Sequence, residues 1–575
     1  MCYNANSQQP TANSQQPTAN SRQSSADLHA RYEQAFLAEL DKKLWDAADR
    51  LRTSVDAAVY KYPVLGLVFL KYVSDSFTAC QEAIKAELTD PNSDYYLDPA
   101  DFDEQSYQDE IDAELADQDN YTARNVFWVK DIARYDTIQK IARYQLGQPY
   151  TVDGKEAKFG GVAKLIDDAF EAIITDNPAL KGVLPNISAL NIEPDILTGL
   201  IDLFADTNFN KPIHNGMTLD LSSKDILGHV YEYFLGQFAA AEGKKAGQFF
   251  TPKSIVSLIV EMLEPLAGRV YDPAMGAGGF FVQSEKFIKA HQGNLDHISI
   301  YGQEQSHTTY NLAVMNMALR GIPFNFAQGD TLKSPAHRDI KMDYIMANPP
   351  FNVKQWYDES LQFDKRWAYG LPSAGNANFA WLSHMIAQLS DKGRIAMVLA
   401  NGSMSTQTKG EGNIRAKIVD ADLVECMLAL PSNLFTNVTI PACVWFLNKN
   451  KTAATRGKVL FIDARNLGYM KDRVLRDFTQ DDKDTISQTY HNWQKGENYT
   501  DTKGFCYSAT LDEIAANDYV LTAGRYVGAE DVVGDDTPFA EKMQQLTALL
   551  YEQFAQSAEL EEKIKENLGG LGYEA

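Results

Sequence analysis

Cysteine is scarce in this chain: Cys2, Cys80, Cys426, Cys443 and Cys506 are the five in 575 residues, with no close pair and no C-x-x-C. That excludes a disulfide scaffold, argues against a structural zinc site and suits a reduced, cytoplasmic setting. Long apolar runs are missing as well. The best of them, Pro63–Leu70, falls far short of the roughly 18 residues that a membrane helix needs, so it reads as buried core and no membrane contact is expected. The first residues, MCYNANSQQP, lack the basic start and apolar stretch of a signal peptide. None of the nine histidines stands in an H-E-x-x-H or H-x-E pattern, and no metal site is expected. Positive charge is short too: 53 Lys and Arg face 77 Asp and Glu, a net charge of −24. Such a chain repels nucleic-acid phosphates on average. Any action on nucleic acid then needs locally clustered cations or a partner that supplies them.

What is present is globular: 45% hydrophobic and 23% charged residues can build several domains. Residues 1–28 hold a duplicated heptapeptide, NSQQPTA at 6–12 and 13–19, too polar to offset ordering entropy, and are expected to be a disordered tail. Residues 29–212 read as a helical domain. Ala35, Phe36, Leu40, Leu44 and Ala48 recur at helical steps, Pro63 opens the apolar run, and Leu165, Phe170, Ile173 and Ile174 share a face further on. Within it, residues 88–123 carry 12 acids and no Lys or Arg. They form an insertion expected to be a solvated loop or a surface for a basic partner. From about 222 the texture changes. Asp225–Leu235 looks helical, and strand-like runs then alternate with helical ones: Arg269–Tyr271, Ile298–Gly302, Pro323–Ala327, Tyr344–Ala347, Arg394–Leu399, Leu423–Leu430, Ala442–Leu447 and Val459–Ile462. This alternation predicts an α/β fold with a doubly wound, mostly parallel sheet over residues 213–475, with 476–536 as an extension. In the last segment, 537–575, Phe539, Met543, Leu546, Leu550, Leu560 and Ile564 form one apolar stripe. They predict a long C-terminal helix that packs on its own domain or on another subunit.

Two motifs sit on the α/β region. In Val270–Val282 a strand leads into Asp272-Pro-Ala-Met-Gly-Ala-Gly-Gly279 and then a helix. The glycines allow a ligand close to the backbone. The run lacks the G-x-G-x-x-G spacing of a dinucleotide site, and Asp272 would repel a pyrophosphate but suit an amino group or a sulfonium. Glu304, after the next strand, can accept from ribose hydroxyls, and Asp330, after the third, from an exocyclic amino group of adenine. The second motif, Asn348-Pro349-Pro350-Phe351, follows the strand Tyr344–Ala347. Two prolines make a stiff turn without backbone donors, so carbonyls stay free to accept. With the Asn348 side-chain oxygen and the flat face of Phe351, the corner suits a planar ring bearing an amino group.

With these motifs the chain resembles the modification (M) subunits of type I restriction–modification systems, which are S-adenosylmethionine-dependent adenine-N6 DNA methyltransferases. Leu40–Asp49, Val64–Asp75, Gly247-Gln-Phe-Phe-Thr-Pro252, Leu430–Phe435 and Gly524–Val527 also look like that family. The resemblance implies that Phe250, Thr251 and Pro252 border the methionine end of the cofactor, and that Asp272, Ala274, Gly276 and Gly278 wrap it. It implies Glu304 on the ribose, Asp330 on the cofactor's adenine, and Asn348, Pro349, Pro350 and Phe351 as the catalytic corner around a flipped adenine. The family usually has Cys at Met275 and Ser at Ala277. Implied partners are double-stranded DNA, a specificity (S) subunit bound by two M subunits, and a restriction (R) subunit, with the C-terminal helix as contact with the S subunit. Three other readings stay open: a solitary adenine methyltransferase, a protein glutamine methyltransferase, which also uses Asn-Pro-Pro-aromatic, and a scaffold without catalysis.

Overall fold

The structure is a computed structural model. It describes the chain apart from residues 1–18, 52–56, 125, 206–211, 220, 222, 242–250, 436–440, 530–542, 545, 546, 549, 552, 556, 559, 562, 564 and 566–575. Two units are distinguished, Met1–Val527 and Gly528–Ala575.

The helical part of the first unit is built on two long helices, Ala19–Leu51 and Ala57–Thr89. Leu40, Leu44 and Ala48 of the first are buried, as are Val64, Leu65 and Leu67–Leu70 of the second, as their spacing predicts. The tail expected to be disordered to residue 28 is helical from Ala19. No proline or glycine stands between Pro17 and Pro63, so nothing in that stretch breaks a helix that begins at Ala19. Pro63, which opens the apolar run, lies inside the second helix. It forfeits one backbone hydrogen bond in the first turns, and burial of the apolar run after it offsets that loss.

The acidic insertion is folded. It forms the helices Glu104–Ala116 and Gln118–Thr122, whose N-caps Asp103 and Asp117 accept from the amides of Ser106 and Asp119. Acids at helix N-termini meet the positive end of the helix dipole. Ile111 and Tyr121 anchor the insertion, with the Tyr121 ring stacked on Phe77 at 4.6 Å.

The helix Ser223–Ala241, expected to open the catalytic domain, buries Ile226, Val230, Tyr231 and Phe234 in the helical core and packs along Ala57–Thr89. Its apolar stripe faces that helix, so the helical core reaches past the boundary drawn at residue 213.

The main sheet has nine strands: β1 (Gly268–Asp272), β2 (Ile298–Glu304), β3 (Phe324–Gln328), β4 (Met342–Ala347), β5 (Leu389–Ala400), β6 (Val424–Ala429), β7 (Ala442–Asn448), β8 (Lys458–Asp463) and β9 (Cys506–Thr510). Their order is β9-β8-β6-β7-β5-β4-β1-β2-β3. Neighbours are parallel except where β7 lies between β5 and β6, and where β9 closes the edge on β8. Side chains alternate between the two faces. Ile345, Met397, Trp445 and Phe461 face the helix Asn378–Gln388. Met346, Val398, Phe446 and Ile462 face the helices Lys253–Leu263, Gly279–Ala290 and Gln480–Lys495. This is the doubly wound, mostly parallel sheet the sequence predicts. It runs past residue 475 because Cys506–Thr510 adds an edge strand. No helix among the described residues is long and apolar enough to cross a membrane.

In the second unit, the described residues from 543 to 565 are helical. Met543, Leu550 and Leu560 of the expected stripe are exposed; Phe539, Leu546 and Ile564 lie outside the described residues.

A candidate active site at the switch point of the sheet

β1 and β4 are neighbours, yet the chain winds from them in opposite directions. Loops leaving their carboxyl ends therefore diverge and open a crevice, the place where open α/β sheets bind ligands. Tyr271 of β1 pairs with Ile345 of β4, so the turns starting at Asp272 and Asn348 leave side by side. Here lies a cavity of about 790 Å³, whose wall includes Thr251, Pro252, Asp272, Ala274, Gly276, Glu304, Asp330, Asn348 and Pro350. Gly278 stands behind the wall at the start of the helix Gly279–Ala290, with φ of +82°. Pro349 is buried and Phe351 half-buried, neither on the cavity wall. Phe250 lies outside the described residues.

The glycine loop is tied to the end of β2. Met275 N donates to Gln303 O at 3.1 Å and Gly276 N to Glu304 Oε2 at 3.1 Å. Ala274 N donates to Asp272 Oδ1 at 2.9 Å and Gly278 N to Met275 O at 2.8 Å. These amides are spent within the protein, so the loop is no phosphate cradle. Asn316, buried on the next helix, donates Nδ2 to Ala277 O at 2.9 Å and holds the far side.

The acids differ in environment. Burial lifts the Asp272 carboxyl well above the usual carboxylate range. The Ala274 amide opposes that shift and nearby Glu304 adds to it. Burial raises Glu304 as well, against the amides of Ser306 and Gly276. Two buried carboxyls with raised pKa at one cavity suit a ligand that brings hydrogen-bond donors and positive charge. Each Glu304 oxygen accepts one amide and keeps a second lone pair for a hydroxyl. Asp330 Oδ1 accepts from Leu332 N at 3.0 Å and Lys333 N at 3.2 Å. That leaves its other oxygen, 3.9 Å from Lys333 Nζ, for an amino group.

At the second motif, Asn348 Nδ2 donates to Thr251 Oγ1 at 3.0 Å. That bond fixes the amide and leaves Oδ1 without a partner among the described residues. Thr251 thus holds the Asn348 side chain in place, a contact its spacing in the sequence did not reveal. The turn continues through Asn352, at φ of +57°, whose Oδ1 accepts from Asn378 at 2.9 Å and Asn376 at 3.2 Å. Phe351 meets Phe435 edge-on, centroids 6.4 Å apart.

Sequence reasoning also missed a buried brace. Arg366 donates to Leu332 O at 2.6 Å, Thr331 O at 3.4 Å and Asp364 at 2.8 Å, while Thr331 Oγ1 donates to Pro273 O at 2.6 Å. His384 Nδ1, 3.2 Å from Arg366, accepts because burial and the Arg366 charge push its pKa down to about 3. Arg366 lies in no recognisable motif, so only the fold finds it. Met275, where the family usually has Cys, is buried, and a methyl on Gly302 would collide with its sulfur. The longer side chain fills space that a bare glycine leaves.

Residues 222–535 match the family described as N-6 DNA Methylase, and residues 40–204 the one described as HsdM N-terminal domain. Over 444 residues the chain is 63% identical to the type I restriction enzyme HindI methylase subunit of Haemophilus influenzae, covering 77% of this chain and 99% of that one. The chain belongs to the methylase subunits of type I restriction enzymes. The MjaIX methylase subunit of Methanocaldococcus jannaschii is 34% identical over 545 residues, 93% of this chain and 92% of that one. The crystal structure of a type I restriction–modification methyltransferase subunit from Streptococcus thermophilus shares the fold. Its TM-score is 0.66 at 24% identity, over 86% of this chain and 100% of that one. As a type I methylase subunit, the chain is a DNA adenine methyltransferase, with its methylase domain on the doubly wound sheet.

Proposed function

We propose that this methylase subunit transfers a methyl group from S-adenosylmethionine to N6 of an adenine flipped out of duplex DNA. It works with a specificity subunit, two methylase subunits to one, joined by a restriction subunit for cleavage. The observation that carries the reading is the Asn348 amide, pinned by Thr251 on the wall of the cavity that Asp272 and Glu304 share.

Bound S-adenosylmethionine supplies a methyl group activated on a sulfonium. The chain's own residues account for the rest. Asp272 answers the cofactor's positive charge, Glu304 its ribose and Asp330 its adenine. Thr251 and Pro252, with Phe250 before them, stand at its methionine end, and Ala274, Gly276 and Gly278 shape the turn around it. Adenine's amino lone pair is delocalised into the ring. Asn348 Oδ1 and the Pro349 carbonyl can accept both amino hydrogens, which draws the nitrogen towards a tetrahedral form with its lone pair available. Pro349 and Pro350 keep that corner rigid, and Phe351 offers a face for the extruded ring, helping offset a flipping cost of a few kcal/mol. Asn is no strong base, so the corner works by position and electrostatics, and the proton leaves to solvent. An acidic chain with an exposed apolar stripe at Met543, Leu550 and Leu560 fits a subunit that leaves target recognition to a partner.

The test is to co-purify the chain with its specificity subunit and supply duplex DNA with methyl-labelled cofactor. Label in N6-methyladenine is expected. Label in protein would favour the glutamine methyltransferase reading, and no transfer would favour a scaffold.

A further inference from the structure

Beyond the cavity, one element at its mouth has an unusual make-up. After β8 the chain forms a hairpin in which Tyr469 pairs with Asp477 and Met470 with Arg476. Gly468, at φ of +84°, admits it: a Cβ there would lie 2.7 Å from Asp477 O. Asp472 closes the tip by accepting from Val474 N at 2.7 Å and Leu475 N at 2.8 Å, so its charge is turned to the hairpin's own backbone. Arg476 N donates to Asn433 O at 2.9 Å, which ties the hairpin to the loop bearing Phe435, the ring edge-on to Phe351. Lys471, Leu475 and Arg476 line the cavity.

Two features are left unexplained by packing. The hairpin 469–477 carries Lys471, Arg473 and Arg476 against Asp472 and Asp477, a local excess of positive charge in a chain of net charge −24, and Asp477 lies 3.7 Å from Lys471 Nζ. Arg473 makes no hydrogen bond or ion pair with any described residue, and Arg476 Nε is buried without a partner. Beside these cations, Tyr469, Met470 and Val474 are 48%, 45% and 58% exposed. Solvent gives no reason to hold three apolar side chains there. A cationic tip flanked by apolar and aromatic surface matches a nucleic-acid strand, whose phosphates take the cations and whose sugars and bases take the rest.

We propose that the hairpin 469–477 grips the DNA strand that carries the target adenine, with Arg473 on a phosphate and Tyr469, Met470 and Val474 against the adjoining sugars and bases. This rests on the DNA reading above and adds to it an element of this chain that presents a cation without a partner among the described residues, Arg473, beside exposed apolar side chains next to the cavity. The hairpin would hold the strand next to the cavity mouth while the base swings in.

The experiment uses the full chain with its specificity subunit and a duplex containing the target site. DNA affinity is measured against salt concentration for wild type, Arg473→Ala, Arg473→Glu and Val474→Asp, with cofactor affinity and thermal melting as controls on the fold. Arg473→Ala should weaken binding and reduce the slope of log affinity against log salt by about 0.9, one phosphate contact; Arg473→Glu should weaken it further. Val474→Asp should slow methylation of a paired adenine more than of one placed opposite an abasic site, where flipping is already easy. Unchanged affinity and slope in Arg473→Glu, with wild type active, would overturn the hairpin's role and leave the enzyme reading intact. A complex that loses DNA affinity with Arg473→Glu yet never methylates adenine would instead overturn the enzyme reading and leave the grip standing.

Discussion

Replacing Thr251 by valine keeps the shape of the side chain and removes one oxygen, the acceptor for Asn348 Nδ2 at 3.0 Å. Both residues are half-buried, so water replaces part of what is lost. A neutral hydrogen bond in that setting contributes about 1 kcal/mol, and the freed amide can turn its NH2 end towards the base. The rate of methyl transfer should fall by roughly fivefold, one kcal/mol on the barrier. Thr251→Ser keeps the hydroxyl and should stay near wild type. The assay is single-turnover methylation of duplex DNA by the complex, with cofactor affinity measured in parallel. Thr251 also borders the cavity, so a double-mutant cycle with Asn348→Ala separates its two possible roles. If Thr251 acts through Asn348, the valine substitution costs nothing more once Asn348 is gone. A full-size loss in the Asn348→Ala background, or a loss confined to cofactor affinity, would refute the positioning role.

Three further outcomes follow from the same geometry. Burial raises the Asp272 pKa; a positively charged ligand favours the ionised form, so binding releases a proton. Cofactor affinity should therefore rise with pH until Asp272 ionises unaided and then level off. Asp272→Asn should bind weakly and lose that dependence, as titration calorimetry across pH would read. Gly302→Ala would drive a methyl into Met275 and to 2.9 Å from the Phe326 ring, costing about 1–3 kcal/mol by overpacking; adding Met275→Cys removes the first of these contacts and should restore part of the melting temperature. Arg366→Met leaves the carbonyls of Thr331 and Leu332 unpaired and takes the guanidinium from Asp364, which keeps the amide of residue 366 at 2.9 Å. It should destabilise the protein by roughly 3 kcal/mol in denaturant titration and weaken cofactor binding through the Asp330 loop.

The sheet was legible because its central strands are short apolar runs bounded by turn residues, and β1 to β8 all coincide with runs visible in the sequence. β9 was not: Cys-Tyr-Ser-Ala-Thr is an edge strand half open to solvent, without a strong period. The helical boundaries shifted for a different reason. Whether Asp225–Leu235 belongs to the helical core or to the sheet depends on which neighbour covers its apolar stripe, and that is a tertiary choice. Pro63 sits inside a helix because a proline near a helix start is tolerated when the residues after it are buried. At the site, Asp272, Glu304, Asp330 and Asn348 could be named from their places after successive strands. Phe351 could be named but not its half-buried pose against Phe435, since 84 residues separate the two rings. The Thr251–Asn348 bond spans 97 residues, and the Arg366–His384 contact is set by a packed interior. Such pairings carry no local signature.

The central claim is that the Asn348 side-chain oxygen prepares the adenine amino group for methylation. The most direct measurement compares Asn348→Ala with wild type in single-turnover transfer to duplex DNA, with cofactor affinity determined for both. Methyl transfer should fall by about 100-fold or more, leaving a residual rate that single turnovers can read, while cofactor affinity stays within about twofold, because the proposed pose puts Asn348 on the base side of the site. Transfer at near wild-type rate would contradict the account, and so would a loss traceable wholly to failed cofactor binding.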